Sequence, residues 1–129
     1  MEKYLIDTNI FLEILLEQDK KEKCKLFLVE NYGKIVLSEF SLHSIGVILF
    51  RNQKYNIFNS FVNDVVPNIK VASLEESEYS KLEEFAVRYN LDFDDSFQAA
   101  LSEELNLTIV TMDKDFERIK KRVKIKFLK

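Results

Sequence analysis

Residues 3–16, KYLIDTNIFLEILL, contain a short apolar run that stops at an acidic residue and continues as a helix. Residues 3–6 predict a buried first strand, and residues 7–9 (Asp-Thr-Asn) are all side chains that favour the N-cap of a helix. The helix is expected over residues 10–16. The stretch therefore predicts a strand that leads directly into a helix, with Asp7 at the junction.

The rest of the chain repeats this alternation of strands and helices. Further strands are expected at residues 35–37, 69–71, 108–111 and 123–128, from short apolar runs rich in Ile and Val. Six helices are expected between them. The first carries Cys24 and Phe27 and ends at Gly33, the second carries Leu42, Ile45 and Leu49, and the third covers residues 55–65 and is closed by Pro67. The fourth is capped by Ser73 and bears Tyr79 to Tyr89, the fifth covers residues 97–105, and a short one covers residues 115–119.

This order of elements predicts the fold class. Strands that alternate with helices form a mostly parallel sheet covered by helices on both faces. We therefore expect one α/β domain over residues 1–129, a three-layer α/β/α sandwich with about five strands. Residues 123–128 alternate apolar with basic side chains, which is typical of an edge strand covered on one face.

Composition excludes several classes of protein. The chain is 47% hydrophobic with eleven Phe, which excludes a disordered protein. No apolar stretch approaches the ~20 residues of a membrane span, and the N-terminus has no apolar signal region, so a cytoplasmic location is expected. Cys24 is the only cysteine and His43 the only histidine, so neither a disulfide nor a tetrahedral zinc site can form. A bound metal would need oxygen ligands.

The charge is unevenly distributed along the chain. The net charge is −3, with 19 basic and 22 acidic residues, and this argues against a large nucleic-acid surface. Eight of the basic residues nevertheless lie between residues 114 and 129. Two interpretations stay open for this end: a solvated amphipathic segment, or a patch that follows phosphates.

Acidic residues follow the predicted strands where a ligand site is expected. In open parallel sheets, ligands bind beyond the carboxyl ends of the strands. Asp7 follows the first strand and Asp113 the fourth, with Asp115 two residues later, while Asp94 and Asp95 begin the helix before the fourth strand. Two carboxylates ~5 Å apart repel by ~3 kcal/mol at an effective dielectric of ~20, so three together cost on the order of 10 kcal/mol. A hard dication such as Mg²⁺ or Mn²⁺ would relieve this repulsion.

The acids also indicate a class of reaction. An oxygen-ligated dication lowers the pKa of a bound water and neutralises charge on phosphate oxygens, as phosphodiester hydrolysis requires. A phosphorylated receiver domain, also a small α/β fold, would need an acid after the third strand, and Val71-Ala72-Ser73 supplies none. Hydrolysis by metal-activated water is the natural expectation.

The sequence resembles the PIN domain family, known from the toxins of VapBC-type toxin–antitoxin pairs. The resemblance rests on YLIDTN at residues 4–9, LDFDDS at residues 91–96 and IVTMDKDF at residues 109–116. It implies a nuclease that cuts RNA with Mg²⁺ or Mn²⁺, an antitoxin partner and a homodimer. It also implies roles for individual residues: metal ligation by Asp7, Asp95 and Asp113, support by Asn9 and Thr111, and for Asp115 either a salt bridge or a further acidic contribution. Asp95 is preferred to Asp94 because the small residue Ser96 follows it.

One position departs from the family pattern. The family usually places a glutamate where this chain has Ser44, and Ser44 cannot carry a negative charge. Glu39 lies five residues earlier, and the neighbouring His43 is either an ordinary hydrogen-bonded residue or a catalytic base or RNA contact. Two functions therefore stay open: a toxin-like ribonuclease, or a PIN-fold module that binds RNA or protein and cuts weakly or not at all.

The predicted helix over residues 55–65 is rich in aromatic side chains. Tyr55, Phe58 and Phe61 lie close to helical spacing with apolar neighbours. This face is either part of the core or the contact surface of a homodimer or an antitoxin.

Overall fold

Five parallel strands form the central sheet of the computed structural model, which describes residues 1–129. Along the sheet the strand order is β3-β2-β1-β4-β5, and every neighbouring pair is parallel. The strands are β1 (Tyr4–Ile6), β2 (Ile35–Ser38), β3 (Lys70–Ala72), β4 (Thr108–Thr111) and β5 (Ile125–Phe127). The expected parallel α/β fold is confirmed, with residues 125–127 at an edge as predicted.

Six α-helices connect and cover these strands. They are α1 (Thr8–Leu15), α2 (Lys21–Glu30), α3 (Glu39–Arg51), α4 (Tyr55–Ser60), α5 (Lys81–Tyr89) and α6 (Phe93–Leu105). A π-helical turn, Phe61–Val65, continues α4, and 3₁₀ turns form at Val66–Asn68, Glu76–Glu78 and Lys114–Ile119.

Side-chain alternation along the strands divides the core into two layers. Successive residues of a strand point to opposite faces, so Leu5 and Ile6 of β1 enter different clusters. Leu5 packs in the cluster that contains residues of α5 and α6, including Phe85 and Phe97. Ile6 packs in the cluster that contains residues of α1, α2 and α3, including Cys24. The three-layer arrangement follows from this alternation.

The strand order places a switch point beside β1. From β1 the chain adds β2 and β3 on one side, and it then returns to add β4 and β5 on the other. The backbone N–H of Asp7 donates to the carbonyl of Val110 at 2.9 Å, so the carboxyl ends of β1 and β4 lie together. Ligands in open α/β sheets bind at this type of position.

Three local expectations are corrected. Ser73 does not cap α5; its hydroxyl donates to the Glu39 carboxylate, and α5 begins at Lys81 because the turn Glu76–Glu78 intervenes. Tyr79 therefore precedes the helix that it was expected to join. Gly33 is not the helix terminus: α2 ends at Glu30, and Gly33 takes a positive φ of 89° in the turn before β2.

The end of the predicted helix over residues 55–65 also differs from regular α-helix. The α-helical part stops at Ser60 and the π-helical turn follows, while Pro67 lies within the 3₁₀ turn Val66–Asn68. Phe61 is buried, whereas Tyr55 is 51% exposed, so the aromatic set is split between core and surface.

Cys24 is fully buried and free, in agreement with a small apolar packing position. None of the helices combines the length and the apolar character that crossing a membrane requires.

Three of the eight basic residues in the C-terminal segment form ion pairs near α5, α6 and the last 3₁₀ turn. Arg118 approaches Asp115 at 3.3 Å, and Lys120 approaches Glu117 at 2.7 Å. Arg122 binds Glu84 and Glu103 together, at 3.0 and 2.8 Å. These pairs neutralise part of the segment, whereas Lys114, Lys121, Lys124, Lys126 and Lys129 form no ion pair, so both interpretations of this segment stay open.

Arg122 offers a direct test of how this last segment is anchored. Its guanidinium lies 4.3 Å from the ring centre of Phe85 while it binds both glutamates. Stacking and bidentate pairing together stabilise by about 1–2 kcal/mol. We expect Arg122→Ala to lower the free energy of unfolding by that amount in urea denaturation. The control is Lys120→Ala, which removes an exposed pair to Glu117 and should cost less than ~0.5 kcal/mol. Equal effects of the two variants would contradict this anchoring.

Candidate metal centre

An acidic cavity opens where β1 and β4 end and α6 begins. It has a volume of about 190 Å³. No lysine or arginine lines it, and its walls contain five aspartates, which are Asp7, Asp92, Asp94, Asp95 and Asp113. The three acids that the sequence predicted as metal ligands are thus brought to one cavity from three separate parts of the chain.

Three carboxylates at this site lie within reach of one ion. Asp95, Asp113 and Asp115 each present an oxygen atom, and these oxygens all lie within 4.8 Å of one another. An octahedral ion with bonds of ~2.1 Å spaces its ligand oxygens by roughly 3–4 Å, so small side-chain rotations bring the three oxygens onto one ion. Asp115 therefore lies close enough to Asp95 and Asp113 to offer a ligand oxygen itself. It also lies 3.3 Å from Arg118, as the salt-bridge interpretation expected.

Thr111 links the two strand ends through its hydroxyl group. Its Oγ1 donates to Oδ2 of Asp7 at 2.7 Å and accepts from the backbone N–H of Asp113 at 3.0 Å. Oδ1 of Asp113 in turn accepts from the backbone N–H of Asp115 at 2.9 Å. Thr111 is fully buried, so its hydroxyl fixes the Asp7 carboxylate without competition from solvent. This is the supporting geometry expected for Thr111.

The first turn of α6 orients the third acid. Asp92 is the N-cap residue, and its Oδ1 accepts from the backbone N–H of Asp95 at 2.9 Å. Asp95 is only 8% exposed, whereas Asp94 is exposed at the mouth of the cavity. An acid at an N-cap is explained by helix capping alone, but a buried acid three residues later is not. Burial therefore separates Asp95 from its two acidic neighbours.

Burial and mutual repulsion raise the pKa of these carboxyl groups. The pKa of Asp95 rises to about 7, first because the side chain is buried and then because Asp92, Asp113, Asp7 and Asp115 are negatively charged. Burial also raises the pKa of Asp7, and the hydrogen bond from Thr111 partly offsets this effect. The pKa of Asp94 is raised by burial and by Asp92. The site therefore takes up protons when no cation is bound.

The structure separates His43 and Glu39 from the acidic cavity. Ser44 and Asn9 line that cavity, so a neutral hydroxyl stands where the sequence comparison expected a glutamate. Glu39 and His43 instead line a second cavity of about 430 Å³, with 4.0 Å between the His43 Nε2 and Glu39 Oε1 atoms. The Glu39 carboxylate accepts from Ser73 there, so it does not replace the missing acid.

A buried polar network on the wall of the acidic cavity was missed by sequence reasoning. Ser41 Oγ accepts from Thr8 Oγ1 at 2.8 Å and from Gln98 Nε2 at 2.9 Å. Gln98 is 3% exposed, and its Oε1 has no hydrogen-bond partner. The available signal was the polar Gln98 within the apolar run of residues 97–101 (FQAAL).

The donor set matches a hard dication. Every charged group on the cavity wall is a carboxylate, and the other polar residues there carry hydroxyl or amide groups, namely Thr8, Asn9, Ser41, Ser44 and Gln98. Carboxylate, carbonyl and hydroxyl oxygens are ligands for Mg²⁺ and Mn²⁺. A dication would also remove the repulsion that raises the pKa of Asp95. On these grounds, the residues present fit such an ion.

The raised pKa of Asp95 predicts a pH-dependent stability of the metal-free protein. Because the folded pKa of about 7 lies above the ordinary 3.8, the folded state binds more protons than the unfolded state between these values. The contribution of Asp95 to stability is therefore greatest below the unfolded pKa of 3.8, and it falls by up to about 4 kcal/mol as the pH rises to the folded pKa of about 7. We expect Asp95→Asn to match the wild type near pH 4 and to exceed it in free energy of unfolding at pH 8, measured with a chelator present.

The matched control for this pH series is Asp19→Asn, which changes an exposed aspartate between α1 and α2. Its difference from the wild type should not vary with pH over the same interval. A wild type that gains stability relative to Asp95→Asn between pH 4 and 8 would contradict the assigned direction of the pKa shift.

Comparison with solved structures places the fold among toxin–antitoxin proteins. A chain of DNA-bound VapBC from Salmonella typhimurium aligns with a TM-score of 0.82 at 17% identity, covering 100% of both chains. A chain of VapBC2 from Rickettsia felis, bound to a promoter DNA fragment, aligns with a TM-score of 0.80 at 15% identity, covering 98% of each chain. VapC20 from Mycobacterium tuberculosis, described as a toxin that cleaves the sarcin–ricin loop, aligns with a TM-score of 0.77 at 15% identity over 89% of this chain and 93% of that one.

Identities of 15–17% show only that the fold is shared. Family membership is shown by a comparison of the sequence with family models. No curated protein matches this chain significantly. The family model of the PIN domain matches residues 4–122, almost the whole chain. The resemblance inferred from the three acidic motifs is thereby confirmed, and the protein belongs to the PIN domain family.

Proposed function

We propose that this protein is an endoribonuclease that hydrolyses RNA phosphodiester bonds with Mg²⁺ or Mn²⁺, similar to the toxin of a type II toxin–antitoxin pair. The observation that carries the proposal is the convergence of Asp95, Asp113 and Asp115, whose oxygens lie within 4.8 Å of one another. Membership of the PIN domain family and the fold shared with VapC20, a toxin described as cleaving the sarcin–ricin loop, support it.

Each residue has a distinct part in the proposed reaction. Asp95, Asp113 and Asp115, whose oxygens lie within 4.8 Å of one another, would hold the ion, and Asp7, which lines the acidic cavity but lies outside that close group, would add a further carboxylate. A bound dication supplies an acidic water and neutralises charge on the phosphate. Thr111 keeps the Asp7 carboxylate oriented, and the Asp92 carboxylate keeps the first turn of α6 in place. Asp95, whose pKa is about 7 in the metal-free protein, would give up its proton when the ion binds.

The negative charge of the cavity makes substrate binding depend on the cation. A phosphodiester carries a negative charge, and five aspartates line the cavity without a compensating lysine or arginine. Phosphate approach is therefore repelled in the metal-free state and favoured once a dication is present. RNA as the polymer is proposed from the family and from the fold shared with VapC20.

A second function is favoured by one observation at the same site. Ser44 lines the cavity where the family pattern expected a glutamate, so this wall carries no negative charge. A site with one acid fewer binds metal more weakly, which would favour a PIN-fold module that binds RNA or protein without efficient cleavage. The two functions differ in turnover rather than in fold.

Cleavage of a single-stranded RNA in the presence of Mn²⁺ distinguishes these functions. We expect the wild type to cut a fluorophore-labelled RNA with Mn²⁺ and not with a chelator, and to melt at a higher temperature with Mn²⁺. Asp113→Asn removes a carboxylate from the centre of the cluster and should lower the cleavage rate at least 100-fold. The matched control is Asp19→Asn, outside the cavity, which should cut at the wild-type rate.

The outcomes separate the two functions clearly. Stabilisation by Mn²⁺ without cleavage would replace the ribonuclease by the binding module. If neither Mn²⁺ nor Mg²⁺ changes the melting temperature of the wild type or its cleavage of RNA, the proposed metal site is wrong. Both functions would then be overturned.

We further propose an antitoxin partner that covers an apolar groove. The groove has a volume of about 350 Å³ and lies between α1, α2 and the π-helical turn, lined mainly by Phe11, Leu15, Leu28, Phe61, Val65 and Ile69. Val29 and Tyr32 at its edge are 73% and 71% exposed. Exposed apolar grooves of this kind accept amphipathic segments of a partner. Solved VapBC and FitAB structures with this fold are complexes of toxin and antitoxin, which supports the assignment.

A homodimer is proposed through a separate aromatic patch formed by Phe50, Tyr55 and Phe58. Phe50 and Tyr55 are each 51% exposed, with ring centres 4.9 Å apart, and aromatic side chains are enriched in interfaces. Sedimentation velocity should show a dimer for the wild type and a shift towards monomer for Tyr55→Glu. Tyr32→Glu, an equally drastic change at another exposed tyrosine, should leave the dimer intact. A monomeric wild type, or equal dissociation of both variants, would contradict this interface.

A further inference from the structure

We infer that Gln98 supplies a neutral oxygen ligand to the dication, at the wall where Ser44 leaves the site without a carboxylate. The inference rests on the proposed metal site and adds to it a residue that the acidic motifs do not contain. The observation behind it is a buried amide oxygen, Gln98 Oε1, that has no hydrogen-bond partner and belongs to a side chain lining the acidic cavity.

The amide group of Gln98 is fixed from one side only. Nε2 donates to Ser41 Oγ at 2.9 Å, and Ser41 is itself held because Thr8 Oγ1 contacts the same hydroxyl at 2.8 Å. The backbone N–H of Ser41 donates to Ser38 Oγ at 2.8 Å, which anchors the start of α3. This arrangement occupies the donor end of the amide and leaves the acceptor end free. A buried acceptor without a donor lowers stability unless a ligand completes it.

The position of Ser41 relates Gln98 to the missing acid. Ser41 and Ser44 are three residues apart on α3, so they share one face of that helix. Both line the acidic cavity together with Gln98. Gln98 reaches from α6 to the side of the cavity that α3 forms, where its amide nitrogen binds Ser41, and its unpartnered oxygen belongs to the same amide group. The chain thus replaces a charged oxygen from α3 by a neutral one from α6.

The chemistry of the amide oxygen suits this role. Carbonyl oxygens of Asn and Gln are ordinary ligands of hard cations, and they add no charge to a site already lined by five aspartates. Ser96 provides a comparison, because its Oγ is also buried and unpartnered but the residue does not line the cavity. Only Gln98 combines an unpartnered buried oxygen with a place in the cavity wall.

Mn²⁺ affinity of the purified protein tests the inference without any use of RNA. The dissociation constant is measured from the electron paramagnetic resonance signal of free Mn²⁺ for the wild type, Gln98→Leu, Gln98→Glu and Asp113→Asn. We expect Gln98→Leu to bind Mn²⁺ 10- to 100-fold more weakly, the range typical for loss of one group that supports a metal site. Gln98→Glu loses the N–H donor to Ser41, but its carboxylate can accept from the Ser41 hydroxyl instead and keeps an oxygen for the ion, so it should bind at least as tightly as the wild type. Asp113→Asn should lose binding almost entirely.

The controls separate loss of the oxygen from loss of packing. Melting temperatures with a chelator present report the fold of each variant, and Gln98→Met, of similar length and without the oxygen, stands in if Gln98→Leu fails to fold. Wild-type affinity in both apolar variants overturns the inference, as does equally weakened binding in Gln98→Glu. If Asp113→Asn alone loses Mn²⁺, the proposed metal site stands and only the role of Gln98 falls. A wild type that binds no Mn²⁺ overturns both.

Discussion

Electrostatic repulsion among carboxylates is the constraint on which this structure depends. Asp7, Asp95 and Asp113 come from the end of β1, the start of α6 and the end of β4, and all of them line one cavity that contains no basic side chain. Two carboxylates ~5 Å apart repel by several kcal/mol, which is a large fraction of the free energy of unfolding of a small domain. Three features limit that cost: hydrogen bonds to Asp7 and Asp113, protonation of Asp95 near neutral pH, and a donor set that fits a dication.

The fold brings these charges together through strand order. Because β1 lies at the centre of the sheet between β2 and β4, the chain segments that follow β1 and β4 emerge side by side. Thr111, at the last position of β4, is placed to bind both Asp7 and the backbone of Asp113. The two hydrophobic layers hold the strands rigidly, so the position of each acid is set by packing on both faces of the sheet. A site built on strand ends and one capped helix is therefore ordered before any ligand arrives.

Sequence patterns predicted most of this arrangement because its determinants are local. Apolar runs that stop at Asp7 and Thr111 fixed the strand ends, and Asp92 fixed the start of α6 through its capping hydrogen bond. Features that depend on tertiary contacts were beyond reach. Ser73 was expected to cap a helix but contacts Glu39, thirty-four residues away in the chain, and Gln98 meets Ser41 across fifty-seven residues. The tight approach of Asp115 depends on the 3₁₀ turn after β4, whose geometry the sequence does not specify.

Anomalous X-ray scattering from Mn²⁺ in crystals of this protein tests the central claim most directly. The account predicts one strong anomalous peak in the acidic cavity, within bonding distance of carboxylate oxygens of Asp95 and Asp113, which lie close enough to share an ion. It also predicts that the peak disappears when the crystals are grown with Mn²⁺ at the same concentration from Asp113→Asn protein. A cavity without anomalous density at saturating Mn²⁺, or a peak bound only at the protein surface elsewhere, would contradict the account.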